Sequence, residues 1–152
     1  MVDRILYFAY GHNTNIPELK HRVPDAKRIG RAIAPNYQLV MRHYTDIMAK
    51  DGEKTYGVLW AMSSEGVREL NYFEGENRDY SHAYIEVLYK GKLYKTLTFV
   101  MLPTKDKGKF PSEKYIKHVY DGYKMNQIPI DQLSSAVRSR TSRVNRDKKD
   151  IY

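Results

Sequence analysis

Residues 10–15, Tyr-Gly-His-Asn-Thr-Asn, form a segment that could bind an anion. They follow an apolar run over 4–10 that predicts a strand, and they precede Pro17, which suits the first turn of a short helix. A glycine and small polar residues between a strand and a helix expose consecutive backbone N–H groups, which bind a carboxylate, a phosphate or a developing oxyanion. A tight turn with an asparagine cap has the same composition. The segment lacks the later Gly-Lys-Ser/Thr of a phosphate-binding loop.

Glu74 is the second candidate, as a general acid/base at the end of a predicted helix. Helical spacing puts it on one face with Val67 and Leu70, whereas Glu65 and Glu69 face the opposite side. A carboxylate on an apolar face is costly to bury, so its pKa rises toward the range that proton transfer near neutral pH requires. A glutamate at a frayed helix end that points to water has the same spacing, and spacing alone favours that alternative.

Other kinds of site find little support in the sequence. The chain has no cysteine, which excludes thiol nucleophiles, zinc–thiolate sites and iron–sulfur clusters. Its five histidines do not have metal-ligand spacing, and Ser63 is better explained as a helix N-cap than as a nucleophile. We therefore expect neither a metal nor a cofactor.

The positive charge is concentrated at the C-terminus. The net charge is +8, and residues 138–152 hold six Lys or Arg against two Asp, which is half of that excess. The same stretch has few apolar residues, so we expect a mobile basic tail after a domain spanning 1–137. The tail and the 14 tyrosines leave nucleic-acid binding open, although packing explains most of the tyrosines better.

The predicted strands are clustered rather than strictly alternating with helices. The patterns predict strands over 4–10, 27–34, 37–44, 54–62, 80–89 and 92–102, and helices to Arg22, over 64–74, to Met125 and after Pro129. The predicted turns are Pro35-Asn36, Asp51-Gly52 and Lys90-Gly91. These elements predict an α+β fold with a small mixed, barrel-like sheet of six or seven strands flanked by three or four helices.

The N-terminus and the hydropathy favour a cytoplasmic protein without a membrane partner. No apolar run approaches the roughly 18 residues of a membrane span, and residues 1–7 lack the apolar core of a signal peptide.

Three short segments occur in a specific order. They are residues 6–13, Leu-Tyr-Phe-Ala-Tyr-Gly-His-Asn, residues 56–60, Tyr-Gly-Val-Leu-Trp, and residues 70–75, Leu-Asn-Tyr-Phe-Glu-Gly, which Tyr80 follows. They resemble the opening strand with its Tyr-Gly-Ser-Asn loop, the strand before the catalytic helix, and the Leu-Asp-x-x-Glu-Gly…Tyr pattern of the gamma-glutamylcyclotransferase family. The ordered set spans residues 5 to about 102 and is more specific than any one segment.

This resemblance implies a cofactor-independent enzyme of lyase or acyltransferase type that releases 5-oxoproline from a small γ-glutamyl amine or amide. The substrate's own α-amine attacks its γ-carbonyl, so no protein nucleophile is needed. By resemblance Glu74 is the general acid/base, the backbone N–H groups of the loop hold the glutamyl carboxylate or the oxyanion, and the fold is built round a barrel-like sheet. The implied substrate-binding residues are Tyr10, Gly11, His12, Asn13 and Tyr80.

The sequence departs from the family pattern at three positions. His12 stands where Ser is usual, Thr14 where a larger apolar residue is common, and Asn71 where Asp is frequent. If the loop binds the anion through its backbone N–H groups, the anion site is kept with His12 in place of Ser. If the family's serine hydroxyl takes part in the reaction, His12 does not supply it, and activity or substrate choice changes. Two alternatives stay open: a catalytically silent binding module of the same fold, and a nucleic-acid- or anion-binding protein that uses the basic tail. The sequence does not determine which γ-glutamyl compound is the substrate. It does not determine the oligomeric state either, and a homodimer stays open.

Overall fold

A computed structural model describes residues 4–74, 80–101 and 108–151, and it describes side chains over 4–73, 80–101 and 108–140. The strands are β1 (Ile5–Ala9), β2 (Lys27–Met41), β3 (Thr45–Met62), β4 (Tyr80–Tyr89) and β5 (Lys92–Met101). The helices are α1 (Ile16–Arg22), α2 (Ser64–Glu74), α3 (Glu113–Met125) and α4 (Ile130–Ile151), and a 3₁₀ turn spans His12–Thr14.

The strands close into a barrel. Their order is β1-β3-β2-β4-β5, with β5 returning to β1. β1 is antiparallel to β3, and it pairs with β5 in parallel through Tyr7 and Leu97. The α+β class and the barrel-like sheet predicted from the sequence are confirmed, although the described residues contain five strands rather than six or seven.

The lower strand count has one cause, a hairpin longer than predicted. Pro35-Asn36 does not end a strand, because β2 continues through it with a bulge at which Asn36 adopts φ 64°. Its side-chain oxygen accepts from the Gly52 N–H at 3.0 Å, so the predicted turn at 51–52 lies within β3 opposite that bulge. The true turn spans 42–44, where the Arg42 N–H donates to the Tyr44 carbonyl. The pairs Pro35-Asn36 and Asp51-Gly52 therefore lie inside paired strands instead of connecting strands, and both turn predictions were wrong.

The second hairpin was predicted correctly. Lys90 and Gly91 connect β4 to β5 with φ values of 49° and 76°. Two successive residues with positive φ give the turn whose twist matches that of the paired strands.

The helices begin at the polar residues that the sequence offers as caps. Asn15 accepts from the Glu18 N–H at the start of α1, Ser63 from the Gly66 N–H, and Ser112 from the Tyr115 N–H. Along α2, Val67 and Leu70 are buried, whereas Glu65 and Glu69 are exposed, as helical spacing predicts.

The core fills the barrel and the space beneath the helices. Its largest fully buried side chains include Trp60, Tyr123, Phe8, Leu19, Met41, Leu59, Met62 and Leu70. Burying each apolar side chain of this size contributes about 1.5–3 kcal/mol. Gly57 lets β1 and β3 approach closely, because a Cβ there would collide with the Ala9 carbonyl and the Phe8 ring.

The C-terminal segment is helical. We predicted a short last helix, but α4 continues to Ile151. The buried residues of α4 include Leu133, Ala136 and Arg140. The mobile basic tail from residue 138 stays a prediction. The division of the chain at residue 137 stays a prediction. Among the described residues, no helix is long and apolar enough to cross a membrane.

Candidate active site

One small cavity brings together all five predicted substrate-binding residues. Its volume is about 20 Å³, enough for about one water or one small polar group. Its walls are Tyr7, Tyr10, Gly11, His12, Asn13, Thr45, Tyr80 and Phe99. The loop after β1 meets the start of β3, the start of β4 and the end of β5 at this point. The binding role of these residues stays a prediction.

The loop after β1 consists of two helix starts in succession. The Thr14 N–H and hydroxyl both donate to the Gly11 carbonyl, at 3.0 and 2.7 Å, and close the 3₁₀ turn. Asn15 ends this turn and caps α1. The N–H groups at the start of a helix have no partner within that helix. Gly11, His12 and Asn13, at the start of the 3₁₀ turn, line the cavity. At the start of α1, in contrast, Pro17 has no N–H and the Glu18 N–H donates to Asn15 Oδ1. Both proposed interpretations of the segment, a capped turn and an anion-binding loop, fit this geometry.

Gly11 is required by close packing. A Cβ at this position would collide with the Thr45 side chain, which forms the opposite wall. Thr45 is itself fixed by α3, since its N–H donates to the Tyr115 hydroxyl at 3.0 Å and its own hydroxyl lies 2.7 Å from the same oxygen. Gly11 and Thr45 are distant in the chain, and their contact sets the distance between two walls of the cavity.

The carboxyl group of Asp46 fixes the start of β3 to the end of β5. One oxygen accepts from the Met101 N–H at 2.9 Å and the other from Arg42 Nε at 2.6 Å. Burial raises the pKa of Asp46, and these two hydrogen bonds oppose that rise.

Helix α3 supports the loop from beneath. The buried Tyr123 hydroxyl donates to the Tyr10 carbonyl at 2.7 Å, and Asn126 Nδ2 donates to the Thr14 carbonyl at 2.7 Å. Burial raises the pKa of Tyr123, which keeps the phenol protonated as a donor. Gly122 allows this contact, because a Cβ there would collide with the Thr14 side chain.

His12 is a neutral group in this site. Burial is the main cause that lowers the pKa of its imidazole from 6.5 to about 3, and the positive charges of Arg22 and His118 act in the same direction. Its ring lies edge-on to Tyr115, with centroids 5.7 Å apart. The departure from the usual serine therefore adds a ring without adding a positive charge.

Two tyrosines of the cavity donate to backbone carbonyls. The Tyr80 hydroxyl donates to the Thr45 carbonyl at 2.7 Å, and the Tyr10 hydroxyl donates to the Phe99 carbonyl. Both residues are buried, so these bonds fix the walls of the cavity. The hydroxyl oxygen of Tyr80 keeps lone pairs that can accept a hydrogen bond.

Glu74 is the last residue of α2, and its side chain lies outside the described residues, as does Gly75. The last turn of α2 makes two contacts to residues that in turn touch the cavity walls, His82 at Phe99 and Arg22 at Asn13. Asn71 Oδ1 lies 2.5 Å from His82 Nε2 on β4, and Arg22 stacks on the Phe73 ring at 5.5 Å. The role of Glu74 stays a prediction.

Comparison with models of known protein families shows which family the chain belongs to. The family model described as gamma-glutamyl cyclotransferase, AIG2-like, matches residues 7–117, which is more than half of the chain. The protein belongs to the gamma-glutamyl cyclotransferase, AIG2-like family. The predicted family resemblance is thus confirmed.

Solved structures agree with this family fold. A gamma-glutamyl cyclotransferase and an uncharacterised protein from Homo sapiens each have a TM-score of 0.74 at 22% identity, covering 88% of this chain and 86% of their own. YkqA from Bacillus subtilis has a TM-score of 0.72 at 25% identity, over 92% of this chain and 55% of its own. Likeness at these identities shows the fold. Curated protein sequences give no match to this chain.

A larger cavity of about 450 Å³ lies between β2, β3 and α4. Its wall includes Leu39, Met41, Tyr56 and Arg140, and it contains none of the predicted site residues. Size alone would favour it, and Tyr56 of the second family segment lines it. The first family segment and Tyr80, however, line the smaller cavity. We therefore take the smaller cavity as the candidate active site of this family member.

Four residues of this site were not predicted from the sequence. Tyr7, Thr45 and Phe99 line the cavity, and Arg22 contacts the loop by donating to Asn13 Oδ1 at 2.9 Å. Tyr7 lies within the first family segment and could have been found there, whereas Thr45 and Phe99 are brought in by strand pairing alone. Among the described residues, no three His, Asp or Glu side chains are grouped so as to hold a metal ion.

Proposed function

We infer that this protein releases 5-oxoproline from a γ-glutamyl amine or amide by intramolecular cyclisation, with Glu74 as the general acid/base. The observation that carries this proposal is that Tyr10, Gly11, His12, Asn13 and Tyr80 line one cavity. Arg22 and His82 contact the last turn of the helix that ends at Glu74, and they also contact the cavity residues Asn13 and Phe99. The chain belongs to the gamma-glutamyl cyclotransferase, AIG2-like family.

The reaction needs no protein nucleophile. The α-amine of the substrate forms a C–N bond to the γ-carbonyl carbon, and the bond from that carbon to the leaving amine breaks. The α-ammonium nitrogen loses two protons when it becomes the lactam N–H. Glu74 takes these two protons one after the other and gives each to the leaving amine, which departs as an ammonium ion, so the enzyme ends in its starting protonation state. Holding the flexible glutamyl chain in a ring-closing geometry lowers the barrier further.

The loop supplies the electrostatic part of the catalysis. The backbone N–H groups around Gly11, His12 and Asn13 stabilise the oxyanion that forms on the γ-carbonyl, or hold the α-carboxylate. The cavity is large enough for one such oxygen-bearing group, and the rest of the substrate extends outside it. With His12 neutral, Arg22 is a nearby cation that favours an anionic or oxyanionic group at this position.

The test is a panel of γ-glutamyl amines and amides assayed for 5-oxoproline. Each compound is paired with its Nα-acetyl derivative, which retains the γ-amide but lacks the attacking amine. We expect 5-oxoproline from at least one free compound and none from its acetylated partner. Release of glutamate instead, or equal turnover of the acetylated compound, would indicate hydrolysis and contradict cyclisation.

A further inference from the structure

Burial of apolar surface does little to hold the last turn of α2. Val67 and Leu70, earlier in the helix, are buried. Tyr72 is 84% exposed and Phe73 is 53% exposed, so these two aromatic side chains contribute little buried area. Glu74 follows them and ends the helix. Because helix ends fray readily, the position of this turn depends on contacts to other elements.

Asn71 makes such a contact to β4. Its side-chain oxygen lies 2.5 Å from Nε2 of His82. An amide oxygen can only accept, so the imidazole donates from Nε2. Both side chains are half-buried, and a hydrogen bond that is partly shielded from water is stronger than one in bulk solvent. This bond connects the last turn of α2 to a strand of the barrel.

His82 is itself fixed beside the candidate cavity. Its ring lies edge-on to Phe99, with centroids 5.0 Å apart, and the two residues are paired in register between β4 and β5. Phe99 lines the cavity, and so does Tyr80, two residues before His82 on β4. Residues two apart on a strand share a face, so His82 lies on the same face as Tyr80. The hydrogen bond to Asn71 therefore links the end of α2 to the walls of the cavity.

We propose that His82 and Asn71 are positioning residues for Glu74. Their hydrogen bond fixes the last turn of α2 relative to the cavity, and that turn carries Glu74. A displacement of about 1 Å in a reacting group can cost about 100-fold in rate. The contact therefore acts on proton transfer rather than on binding of the glutamyl group, which the proposed function assigns to the loop after β1. The identity of the reaction rests on that proposed function.

Four substitutions separate the hydrogen bond from the packing of the two side chains. His82→Phe keeps a ring against Phe99 and loses the donor, whereas His82→Gln keeps an amide donor near the position of Nε2. Asn71→Leu keeps the size of residue 71 and loses the acceptor, whereas Asn71→Asp keeps an acceptor oxygen. Tyr89→Phe is the matched control. It also removes a hydrogen bond from a β4 side chain, to a β2 carbonyl, and Tyr89 lies at the opposite end of β4 from Tyr80.

We expect His82→Phe and Asn71→Leu each to lower kcat for 5-oxoproline release by about 10- to 100-fold, with KM changed by less than about threefold. The double variant should lose no more than either single one, because both changes remove the same hydrogen bond. His82→Gln and Asn71→Asp retain a donor and an acceptor, so each should keep kcat within about fivefold of the wild type. Thermal midpoints of all variants are measured alongside, and Tyr89→Phe should match the wild type in activity.

The outcomes distinguish this inference from the proposed function. An active wild type with fully active His82→Phe and Asn71→Leu variants overturns the positioning role and leaves cyclisation intact, and so do additive losses in the double variant. Hydrogen exchange of the backbone amides of residues 72–74 gives a readout without turnover. Exchange should be faster in His82→Phe and Asn71→Leu than in the wild type and Tyr89→Phe. Unchanged exchange contradicts the inference even where the wild type releases no 5-oxoproline, whereas faster exchange with an inactive wild type contradicts the proposed function alone.

Discussion

The imidazole of His12 is kept neutral by its surroundings, and this gives the site a measurable pH dependence. The folded protein lowers the pKa of His12 to about 3, whereas the unfolded chain has the ordinary value of 6.5. The stability that comes from a neutral His12 is present above pH 6.5. It is lost as the pH falls from 6.5 to about 3, since only the unfolded chain takes up the proton in that window.

The first prediction concerns the substitution His12→Ser. The free energy of unfolding of the wild type should fall with decreasing pH below 6.5, and His12 contributes at most about 1.4 kcal/mol per pH unit to that fall. The serine variant lacks this contribution, so its stability relative to the wild type should improve from about pH 7 toward about pH 4. Urea unfolding at several pH values measures the difference. His21→Ser on the exposed face of α1 is the control, and a constant difference between His12→Ser and wild type contradicts the prediction.

The sequence was informative about individual residues wherever a family segment contained them. The loop residues and Tyr80 were identified because their motifs are contiguous, and the structure brings them to one cavity. Thr45 was missed because no local pattern surrounds it and only the long β2–β3 hairpin carries it to Gly11. Asn13 was predicted, but the hydrogen bonds of its side chain were not, because only the fold brings its partners Arg22 and Tyr7 to it.

At the scale of elements, local signals predicted the helix starts and the β4–β5 hairpin well, and they failed for the β2–β3 hairpin. Helix starts such as Asn15 and Ser112 depend on hydrogen bonds within four residues, so sequence patterns identify them. The β2–β3 hairpin depends on a register between distant residues, in which Asn36 pairs with Gly52 across a bulge. A polar residue followed by glycine occurs both at Asp51-Gly52, inside β3, and at Lys90-Gly91, which forms the turn between β4 and β5, so composition alone did not distinguish the two cases.

The second prediction belongs to the contact between the loop and β3. Gly11→Ala should lower the free energy of unfolding by about 1–3 kcal/mol, because its Cβ collides with the Thr45 side chain. It should also lower 5-oxoproline release, since the loop must shift. Adding Thr45→Ala removes the colliding oxygen and should restore part of the stability, whereas adding Thr45→Ser keeps that oxygen and should not. Urea unfolding of these variants and the wild type measures this, and equal stability of Gly11→Ala and wild type contradicts the contact.

At the scale of the whole molecule, one arginine of the basic C-terminal stretch is buried. Arg140 is 4% exposed and donates to the Lys109 carbonyl at 3.1 Å, while the division of the chain at residue 137 stays a prediction. Charge and the lack of apolar residues are properties of composition, and they did not reveal that an arginine of this stretch is buried.

The third prediction concerns two truncations of this helix. Removing 142–152 should leave stability and 5-oxoproline release close to wild type and weaken binding to a polyanion such as heparin. Removing 138–152 also removes Arg140 and should lower the thermal midpoint. Any binding that depends on 142–152 should weaken as salt rises from about 50 to about 200 mM. Loss of activity without loss of fold in the shorter truncation would mean that the basic segment takes part in catalysis.

The central claim is that Glu74 transfers the proton in a cyclisation reaction, and a matched pair of variants tests it most directly. Glu74→Gln and Glu69→Gln change the same helix by the same chemistry, but Glu69 is exposed on the opposite face. Steady-state release of 5-oxoproline should fall by about 10²- to 10⁴-fold in Glu74→Gln, with an unchanged thermal midpoint, and remain at the wild-type rate in Glu69→Gln. A Glu74→Gln variant that releases 5-oxoproline at the wild-type rate would contradict the claim.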